Sequence, residues 1–582
     1  MRILERDLDN EQLAIAVKSP NHSLLVIAGP GSGKTRLLTH VAAYQVRRSH
    51  PATWRVLCLT FTVEAAREMR TRLSSRALEV PQRRRIEVAN FHQLGMTLLG
   101  HHGHHIGWPR DAQVLDALEA QELAKEVADE LGLHAITGRA ALDAISRLRN
   151  NRAPDPAAGP AESLIALRAA YERRLDDLRL RDFDDLILDS IRLLDERPDV
   201  AAIVRSTYRY LLVDELQDTS GWQLEFVGRL SNEGETPIFA VADNDQMIYA
   251  WRDARAENIV EWEERFQGER VNLLGNYRCP PRIVEAANAL ISHNPGVDRE
   301  AEPYSRVDDR PGNIFVIQTA GGGEEAATVV SIVRERREAG VAPDKIAVLA
   351  SVGFLLKPSV EALAAGGIRV IWVGEDPSAG SDFARALRAA LVLATTPEQE
   401  RARARLQRLF ADRLEVAELD AFVAELSAHR TIDGVIRRLA DVAGLELDDA
   451  DVVRARQVVA LAERETGVEP PAMVGRRIAL EWHRLSRQLQ REAEAVKAMT
   501  TFVAKGLEFD TVVIPGFNQG LVPYVRSGMS LTQTVLLEKR REVYVAVTRA
   551  ESHLYLMVRR DRAPSRFLDE LGIRKDEHFS WS

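Results

Sequence analysis

The chain has 582 residues, a formal net charge of -9 and a sequence pI near 6.0. This length exceeds what one hydrophobic core supports, so several domains are expected, and an acidic total does not exclude a local basic groove for nucleic acid. The two cysteines, Cys58 and Cys279, lie far apart, which disfavours a disulfide framework, a four-cysteine zinc site or an iron–sulfur cluster and fits a reducing cytoplasm. The sequence has neither a signal-peptide pattern nor an apolar run of about 18 residues, so we expect a cytoplasmic protein without membrane spans.

The first predicted elements are a strand, a glycine-rich loop and a helix. The apolar run Leu24–Ala28 leads into GPGSGKT, after which a helical pattern begins. Backbone amides of such a loop surround phosphate oxygens, and the helix N-terminus adds partial positive charge. Lys34 can reach the β and γ phosphates, and the Thr35 hydroxyl can ligate Mg²⁺. Ala28 stands where the general phosphate-loop pattern has its first glycine, yet the context favours a nucleotide site over an ordinary turn. The predicted phosphate-binding positions are Gly29, Gly31, Ser32, Gly33, Lys34 and Thr35.

A second apolar run, in LLVDELQDTS, ends on two adjacent carboxylates, Asp214 and Glu215. It is typical of an interior strand of a parallel sheet, and ligands bind beyond the carboxyl ends of such strands. Adjacent side chains on a strand point to opposite sides, so one acid could hold a metal while the other handles a water. Taken alone, the stretch could equally be a strand followed by an acidic turn. Together with the phosphate loop it predicts an ATP or GTP hydrolase in which Asp214 holds Mg²⁺ and Glu215 is the base.

Short motifs recur along nearly the whole chain. In chain order they are LDNEQLAIAV, GSGKTR, CLTFTVEAAREMRTRL, NFHQLG, DFDDLI, VDELQDT, AVADNDQMIYAWRDA, NYRCP, MTTFVAKGLEFDTVVIPG and LEKRREVYVAVTRAESHLYL. In this order they resemble the motifs of the UvrD/Rep/PcrA family of superfamily 1 DNA helicases. The resemblance implies ATP and Mg²⁺ as cofactors, and movement from 3′ to 5′ on single-stranded DNA.

The resemblance also implies roles at the nucleotide. It places Gln12 at the adenine, Arg36 beside the phosphate loop, Tyr277 on the base, Glu508 at the ribose, Gly506 as a further nucleotide-binding residue, and Gln246, Arg278 and Arg549 at the γ-phosphate. Guanidinium groups stabilise the charge that builds on phosphoryl oxygens as the bond breaks. If the two arginines lie on a second lobe, hydrolysis depends on closure of the cleft between lobes. The predicted catalytic residues are Lys34, Glu215, Gln246, Arg278 and Arg549.

A further set of residues is implied to contact DNA. They are Phe61, Thr62, His92, Phe183, Tyr249, Trp251 and Arg252. Stacking of bases on aromatic side chains is sequence-tolerant and contributes roughly 1–3 kcal/mol per base. Each aromatic taken singly is more often a core residue, and only the resemblance favours DNA contact. Phe502 stands where the family has His, and Val63-Glu64 where it has Asn-Lys, so we expect weakened phosphate contact at Glu64.

The expected fold class is α/β, with two RecA-like P-loop NTPase lobes whose parallel sheets are flanked by helices and are each interrupted by a mainly helical insertion. The predicted domains are 1–99 and 182–279 for lobe 1A, 100–181 for a 1B-like insertion, 280–376 and 492–582 for lobe 2A, and 377–491 for a reduced 2B-like insertion.

The predicted function is an ATP-dependent, Mg²⁺-dependent 3′–5′ single-stranded DNA translocase and DNA helicase that binds single strands and tailed duplexes. The alternative is a DNA-stimulated ATPase subunit that senses or feeds DNA to a separate nuclease partner and unwinds little alone, as in antiphage systems such as Gabija. A scaffold with a vestigial site is disfavoured, because neither the phosphate loop nor the acidic pair is eroded.

Overall fold

A computed structural model gives the structure of the chain, which divides into two compact units, Met1–Pro311 and Gly312–Ser582. The residues that it describes are 8–18, 22–49, 53–74, 80–109, 112–150, 152–154, 158–248, 258–294, 302–307, 309, 312–374, 381–410, 413, 418–429, 431–466, 471–525 and 530–573. Within these ranges, no helix has both the length and the apolar character needed to span a membrane.

The first unit is built on a parallel sheet. Its strands are β1 (Leu24–Ala28), β2 (Arg55–Thr60), β3 (Ile86–Asn90), β4 (Gln113–Val114), β5 (Leu180–Arg181), β6 (Tyr208–Val213), β7 (Ile238–Ala242), β8 (Glu269–Leu273), β9 (Gly275–Asn276) and β10 (Tyr304–Ser305). Six of them form one sheet in the order β3-β2-β6-β7-β1-β8, with parallel pairings throughout. The central strands are apolar and buried because helices cover both faces of the sheet.

Helices flank this sheet and also form a separate inserted layer. They are Asn10–Lys18, Lys34–Arg48, Val63–Ser74, Val80–Arg83, Phe91–His102, Ala117–Glu130, Gly138–Arg149, Ala161–Asp177, Phe183–Glu196, Pro198–Thr207, Gly221–Ser231, Asn258–Phe266 and Pro281–Ser292. One apolar cluster packs under Lys34–Arg48, and a second packs under Phe91–His102 and Phe183–Glu196. The three helices between Ala117 and Asp177 enclose a hydrophobic cluster of their own.

The second unit repeats the architecture. Its strands are β11 (Asn313–Thr319), β12 (Ile346–Ala350), β13 (Val370–Trp372), β14 (Val496–Thr500), β15 (Phe509–Ile514) and β16 (Ala550–Arg559). They form a parallel sheet in the order β11-β16-β15-β12-β14-β13. Its helices are Gly322–Glu338, Lys357–Ala365, Asp382–Leu393, Glu400–Leu409, Leu419–Ala428, Ile432–Ala443, Ala450–Thr466, Pro471–Glu492, Thr501–Ala504, Gln533–Val547 and Phe567–Glu570.

A helical insertion separates β13 from β14 in this second sheet. Its helices run from Asp382 to Glu492 and share one large hydrophobic cluster. The predicted fold class, two helix-flanked parallel sheets each interrupted by helices, is therefore confirmed. The predicted domain limits within each unit stay predictions.

Candidate nucleotide site and DNA-contact residues

The phosphate loop joins the carboxyl end of β1 to the helix Lys34–Arg48, and its two central glycines have left-handed backbones. Gly31 has φ 71° and Gly33 has φ 84°. A Cβ atom on Gly31 would lie 2.5 Å from Oδ1 of Asn276, and one on Gly33 would lie 2.8 Å from Nε2 of Gln12. Both positions therefore need glycine for backbone freedom and for space.

Residues distant in sequence brace this loop. Gln12 donates from Nε2 to the Ser32 carbonyl at 2.9 Å, and Asn276 donates from Nδ2 to the Pro30 carbonyl at 2.7 Å. The Tyr277 amide donates to the Gly31 carbonyl at 2.8 Å. The loop carbonyls are thus held from outside, which leaves the loop shape defined by contacts as well as by its glycines.

Lys34 begins the helix and reaches back over the loop. Its Nζ donates to the carbonyls of Ala28 at 3.0 Å and Gly29 at 3.1 Å, and lies 3.7 Å from Oδ2 of Asp243. Only 10% of the Lys34 side chain is exposed. The ammonium group is therefore fixed at the carboxyl edge of the sheet, where phosphate oxygens would meet it.

The acidic pair follows β6 and does not continue it. The strand ends at Val213, and Glu215 has a left-handed backbone, φ 51° and ψ 48°. Both carboxylates therefore lie beyond the strand, and the strand alternation expected from the sequence does not set the directions of their side chains. Burial, and next the charge of Glu215, raise the pKa of the Asp214 carboxyl to about 7, although Lys34 acts in the opposite direction.

A chain of hydrogen bonds joins this pair to the predicted γ-phosphate glutamine. Gln217 donates from Nε2 to Oε2 of Glu215, and its Oε1 accepts from the Asp243 amide at 2.9 Å. Asp243 in turn accepts at Oδ2 from Nε2 of Gln246, at 2.6 Å. Lys34, Glu215 and Gln246 are thus brought to one place. Asp243, Gln217 and Asn276 were absent from the predicted site, although Asp243 follows β7 just as Asp214 follows the neighbouring β6.

Oxygen donors of the kind that Mg²⁺ prefers are present at this edge. Asp214 supplies a buried carboxylate, and Thr35, a partly buried residue with a hydroxyl group, lies in the first turn of its helix. The raised pKa of Asp214 shows that burial and Glu215 outweigh Lys34, a balance that a bound cation would offset. Within the described residues, no group of three or more His, Cys, Asp or Glu could hold a metal ion by itself. Mg²⁺ would therefore take further ligands from water or phosphate.

Tyr277 and Arg278 lie beside the phosphate loop within the first unit. The Arg278 amide donates to Oδ1 of Asn276 at 2.9 Å. The Cβ of Arg278 lies 2.7 Å from the position that a Cβ on Gly31 would occupy. Tyr277 is 39% exposed. Arg36, also predicted for the nucleotide, is exposed in the first turn of Lys34–Arg48.

The remaining nucleotide residues lie in the second unit. Arg549 is 1% exposed, and its guanidinium donates to the carbonyls of Val545 at 2.9 Å and Leu507 at 3.1 Å and to the Thr548 hydroxyl at 3.1 Å. Glu508 is exposed in the loop that follows Gly506, whose φ is 82°. Arg549 is therefore tied to the loop that carries Gly506 and Glu508, and its γ-phosphate role stays a prediction.

Two of the predicted DNA-contact residues pack against each other. The His92 and Phe183 rings lie 5.3 Å apart, and Phe183 is 41% exposed. Burial lowers the pKa of His92 to about 4, against the charge of Asp182, so the ring is neutral near pH 7. Phe61 and Thr62 follow β2, and the Thr62 hydroxyl accepts the Ala65 amide at 3.0 Å.

Three other predicted DNA-contact residues, Tyr249, Trp251 and Arg252, lie outside the described residues, as does the side chain of Glu64.

The phosphate loop after β1 is braced from outside, Lys34 lies over it, and the acidic pair follows β6 of the same sheet. These features define a P-loop nucleoside triphosphatase. The profile of the UvrD/REP helicase N-terminal domain matches residues 8–267, and that of the UvrD-like helicase C-terminal domain matches residues 472–561. The ATP-dependent DNA helicase PcrA of Leuconostoc citreum is 29% identical over 645 positions, which cover 98% of this chain and 85% of that protein. The PcrA of Bacillus subtilis is 27% identical over 609 positions, covering 93% and 81%. The chain belongs to the UvrD/Rep/PcrA-like helicases of superfamily 1.

Proposed function

We propose that this chain is an ATP-dependent, Mg²⁺-dependent motor that translocates from 3′ to 5′ on single-stranded DNA and unwinds tailed duplexes. The observation that carries the proposal is the hydrogen-bonded chain from Glu215 through Gln217 and Asp243 to Gln246, with Lys34 beside it. It joins the residues for water activation, phosphate charge and γ-phosphate sensing. The PcrA proteins, which are named ATP-dependent DNA helicases, support the same function.

Each residue of this site has a distinct proposed role. Lys34 places positive charge where the β and γ phosphates lie, and Glu215 accepts a proton from the attacking water. Gln246 responds to the γ-phosphate, and its bond to Asp243 transmits that response toward Glu215. Thr35 and Asp214 would hold Mg²⁺, which when bound neutralises phosphate charge.

The second unit contributes residues to nucleotide turnover in this proposal. Arg549 stabilises charge on the transferred phosphoryl group, a role also proposed for Arg278, and Glu508 contacts the ribose. Because Arg549 donates to the Leu507 carbonyl, a shift of the loop at Glu508 also moves the arginine. Ribose contact and phosphoryl charge stabilisation are thereby linked.

DNA is the proposed partner of the exposed Phe183 ring and of the neighbouring His92. Phe183 offers a face on which a base can stack, and neutral His92 supports that face without adding charge. Affinity from such contacts is independent of base sequence, as a motor requires. We place the protein in the cytoplasm, where both DNA-processing substrates and ATP are available to it.

A second candidate is a DNA-stimulated ATPase that activates or feeds a separate nuclease in antiphage defence and unwinds little alone. The match to the Leuconostoc citreum protein extends over 645 positions, whereas this chain has 582 residues, so that relative carries segments that this chain lacks. The reduced 2B-like insertion predicted from the sequence is compatible with dependence on a partner.

ATP hydrolysis with and without single-stranded DNA, measured beside unwinding of a duplex with a 3′ tail, separates these candidates. Strong stimulation with unwinding supports the autonomous helicase, and stimulation without unwinding supports the partner-dependent motor. Glu215→Gln should abolish stimulated hydrolysis because the amide cannot accept the proton. Near-native turnover in Glu215→Gln would refute the assigned base.

A further inference from the structure

A buried ion cluster connects the helical insertion of the first unit to the helix that carries Phe183. The guanidinium of Arg149, only 5% exposed, donates from Nη1 to both carboxylate oxygens of Asp182 at 3.0 and 2.9 Å. Its Nη2 lies 3.3 Å from Asp185, and its Nε donates to Glu172 at 3.2 Å. Arg149, at the end of its helix, thus contacts carboxylates on the helices Ala161–Asp177 and Phe183–Glu196.

Asp182 and Asp185 also form the cap of the helix Phe183–Glu196. The Asp185 amide donates to Oδ1 of Asp182 at 3.0 Å, and the Asp182 amide donates to Oδ2 of Asp185 at 2.8 Å. A capping box usually pairs a neutral Ser or Thr with Glu or Gln, whereas here two carboxylates face each other. Burial and the charge of Asp182 raise the pKa of Asp185 to about 8, against Arg149. The guanidinium of Arg149 contacts both acids of the cap and opposes this rise in pKa.

The backbone of the same arginine contacts the element that follows the acidic pair. Arg149 is the last residue of its helix, and its carbonyl accepts the indole Nε1 of Trp222 at 2.9 Å. Trp222 is the second residue of the helix Gly221–Ser231, which begins shortly after Asp218. Carbonyls in the last turn of a helix lack partners within that helix, so the indole satisfies one of them.

We propose that Arg149 is a positioning residue that holds the His92–Phe183 pair for DNA and ties it to the helix that follows the acidic pair. Phe183 is the first residue after the Asp182 cap, so the direction of its ring follows the geometry of that cap. The side chain of Arg149 fixes the cap, and its carbonyl fixes Trp222. The proposal rests on the proposed function, because it assigns DNA contact to His92 and Phe183.

Stimulation of ATP hydrolysis by oligo(dT) tests this inference with the full chain and the variants Arg149→Met, Arg149→Lys and Arg139→Met. Arg149→Met should raise the oligo(dT) concentration for half-maximal stimulation roughly tenfold, equivalent to about one lost base-stacking contact. The KM for ATP at saturating DNA should change less than about twofold. Arg149→Lys retains the charge but not the two-pronged bond. Its oligo(dT) concentration for half-maximal stimulation should therefore lie between those of the wild type and Arg149→Met.

Arg139→Met is the matched control and should behave as wild type, since Arg139 lies in the same helix with a side chain that is 67% exposed, 4.0 Å from Asp143. An unchanged DNA requirement in Arg149→Met, or an equal loss of ATP affinity, would overturn the inference. If Arg149→Met does not fold, Arg149→Lys carries the test with the same readouts. A wild-type chain that neither binds oligo(dT) nor responds to it would instead refute the proposed function.

Discussion

Asp243 is the residue in which the contacts of the nucleotide site converge. Its carboxylate accepts a hydrogen bond from Nε2 of Gln246 and lies 3.7 Å from the Lys34 ammonium. Its backbone amide donates a hydrogen bond to Oε1 of Gln217. Asp243→Ala should lower DNA-stimulated turnover by about tenfold or more while the KM for ATP changes much less, because Gln246 loses its orienting acceptor. Steady-state kinetics would measure both, with the surface variant Glu235→Ala as control. A rise in KM at constant turnover would mean that Asp243 serves binding alone.

Replacing the buried Asp214 by Asn should stabilise the fold at high pH and impair ATP hydrolysis, because Asn lacks the carboxylate proposed to hold Mg²⁺. Its pKa of about 7 lies above the ordinary carboxyl range, so the fold is disfavoured progressively as the pH rises from that range to about 7. Asp214→Asn removes this cost and should raise the unfolding temperature at pH 8 without Mg²⁺. The gain should shrink as the pH falls toward 4. Thermal unfolding across pH checks the sign, and a loss of stability at pH 8 would contradict it.

Residues beside one another in sequence were the ones that could be predicted. Lys34 and the acidic pair stand in compact motifs, whereas Asn276 bonds to Pro30 across 246 positions and Gln217 meets Asp243 across 26. Those partners become neighbours only because the sheet order brings their strand ends together. The left-handed backbone of Glu215 was also beyond prediction, because φ above zero is uncommon outside glycine and asparagine.

At the scale of elements, the phosphate loop depends on the missing side chain of Gly31. Alanine there would combine a left-handed φ of 71° with a Cβ 2.5 Å from Asn276. Gly31→Ala should therefore abolish nucleotide binding and lower the unfolding temperature, as Asn276 is displaced from Pro30.

Gly107→Ala is the matched control for that substitution. Gly107 has a similar φ of 79°, but a Cβ there meets nothing within 4 Å, so the change adds backbone strain alone. Titration of a fluorescent nucleotide should separate the two variants. Equal nucleotide affinity in both would mean that space beside Gly31 is unimportant.

The strands and helices were predicted well where apolar runs are continuous. β1 and β6 are confirmed at the runs identified from sequence, because strands buried on both faces need apolar residues throughout. The helix that follows the phosphate loop is confirmed as well. The ion cluster around Arg149 escaped prediction, since a charged residue near a helix end is usually taken for a solvated one.

At the scale of the whole molecule, each compact unit contributes an arginine to the proposed chemistry. Arg549→Ala should lower turnover more than nucleotide affinity, because its charge is needed chiefly in the transition state. Burst and steady-state kinetics would measure turnover, and equilibrium titration would measure affinity. Unchanged turnover with weaker binding would argue against the role.

A control is needed because Arg549 also makes three hydrogen bonds within the second unit. Arg540→Ala breaks a buried ion pair with Glu570 in that unit, at 2.7 Å, and should destabilise the fold with less effect on turnover per folded molecule. Similar turnover losses in both variants would attribute the effect of Arg549→Ala to folding.

The bond between Asn276 and Pro30 also bears on how the chain is made. At ribosomal speeds of about 5–20 residues per second, the 246 positions between them take roughly 12 to 50 seconds to synthesise. For most of that interval β1 has been made while its neighbours β7 and β8 have not, since β7 begins at Ile238 and β8 at Glu269. An apolar strand without neighbours is prone to wrong pairing, so early chaperone contact is expected at Leu24–Ala28. A nascent chain ending before Ile238 would carry every residue of the phosphate loop and still lack both strands that flank β1.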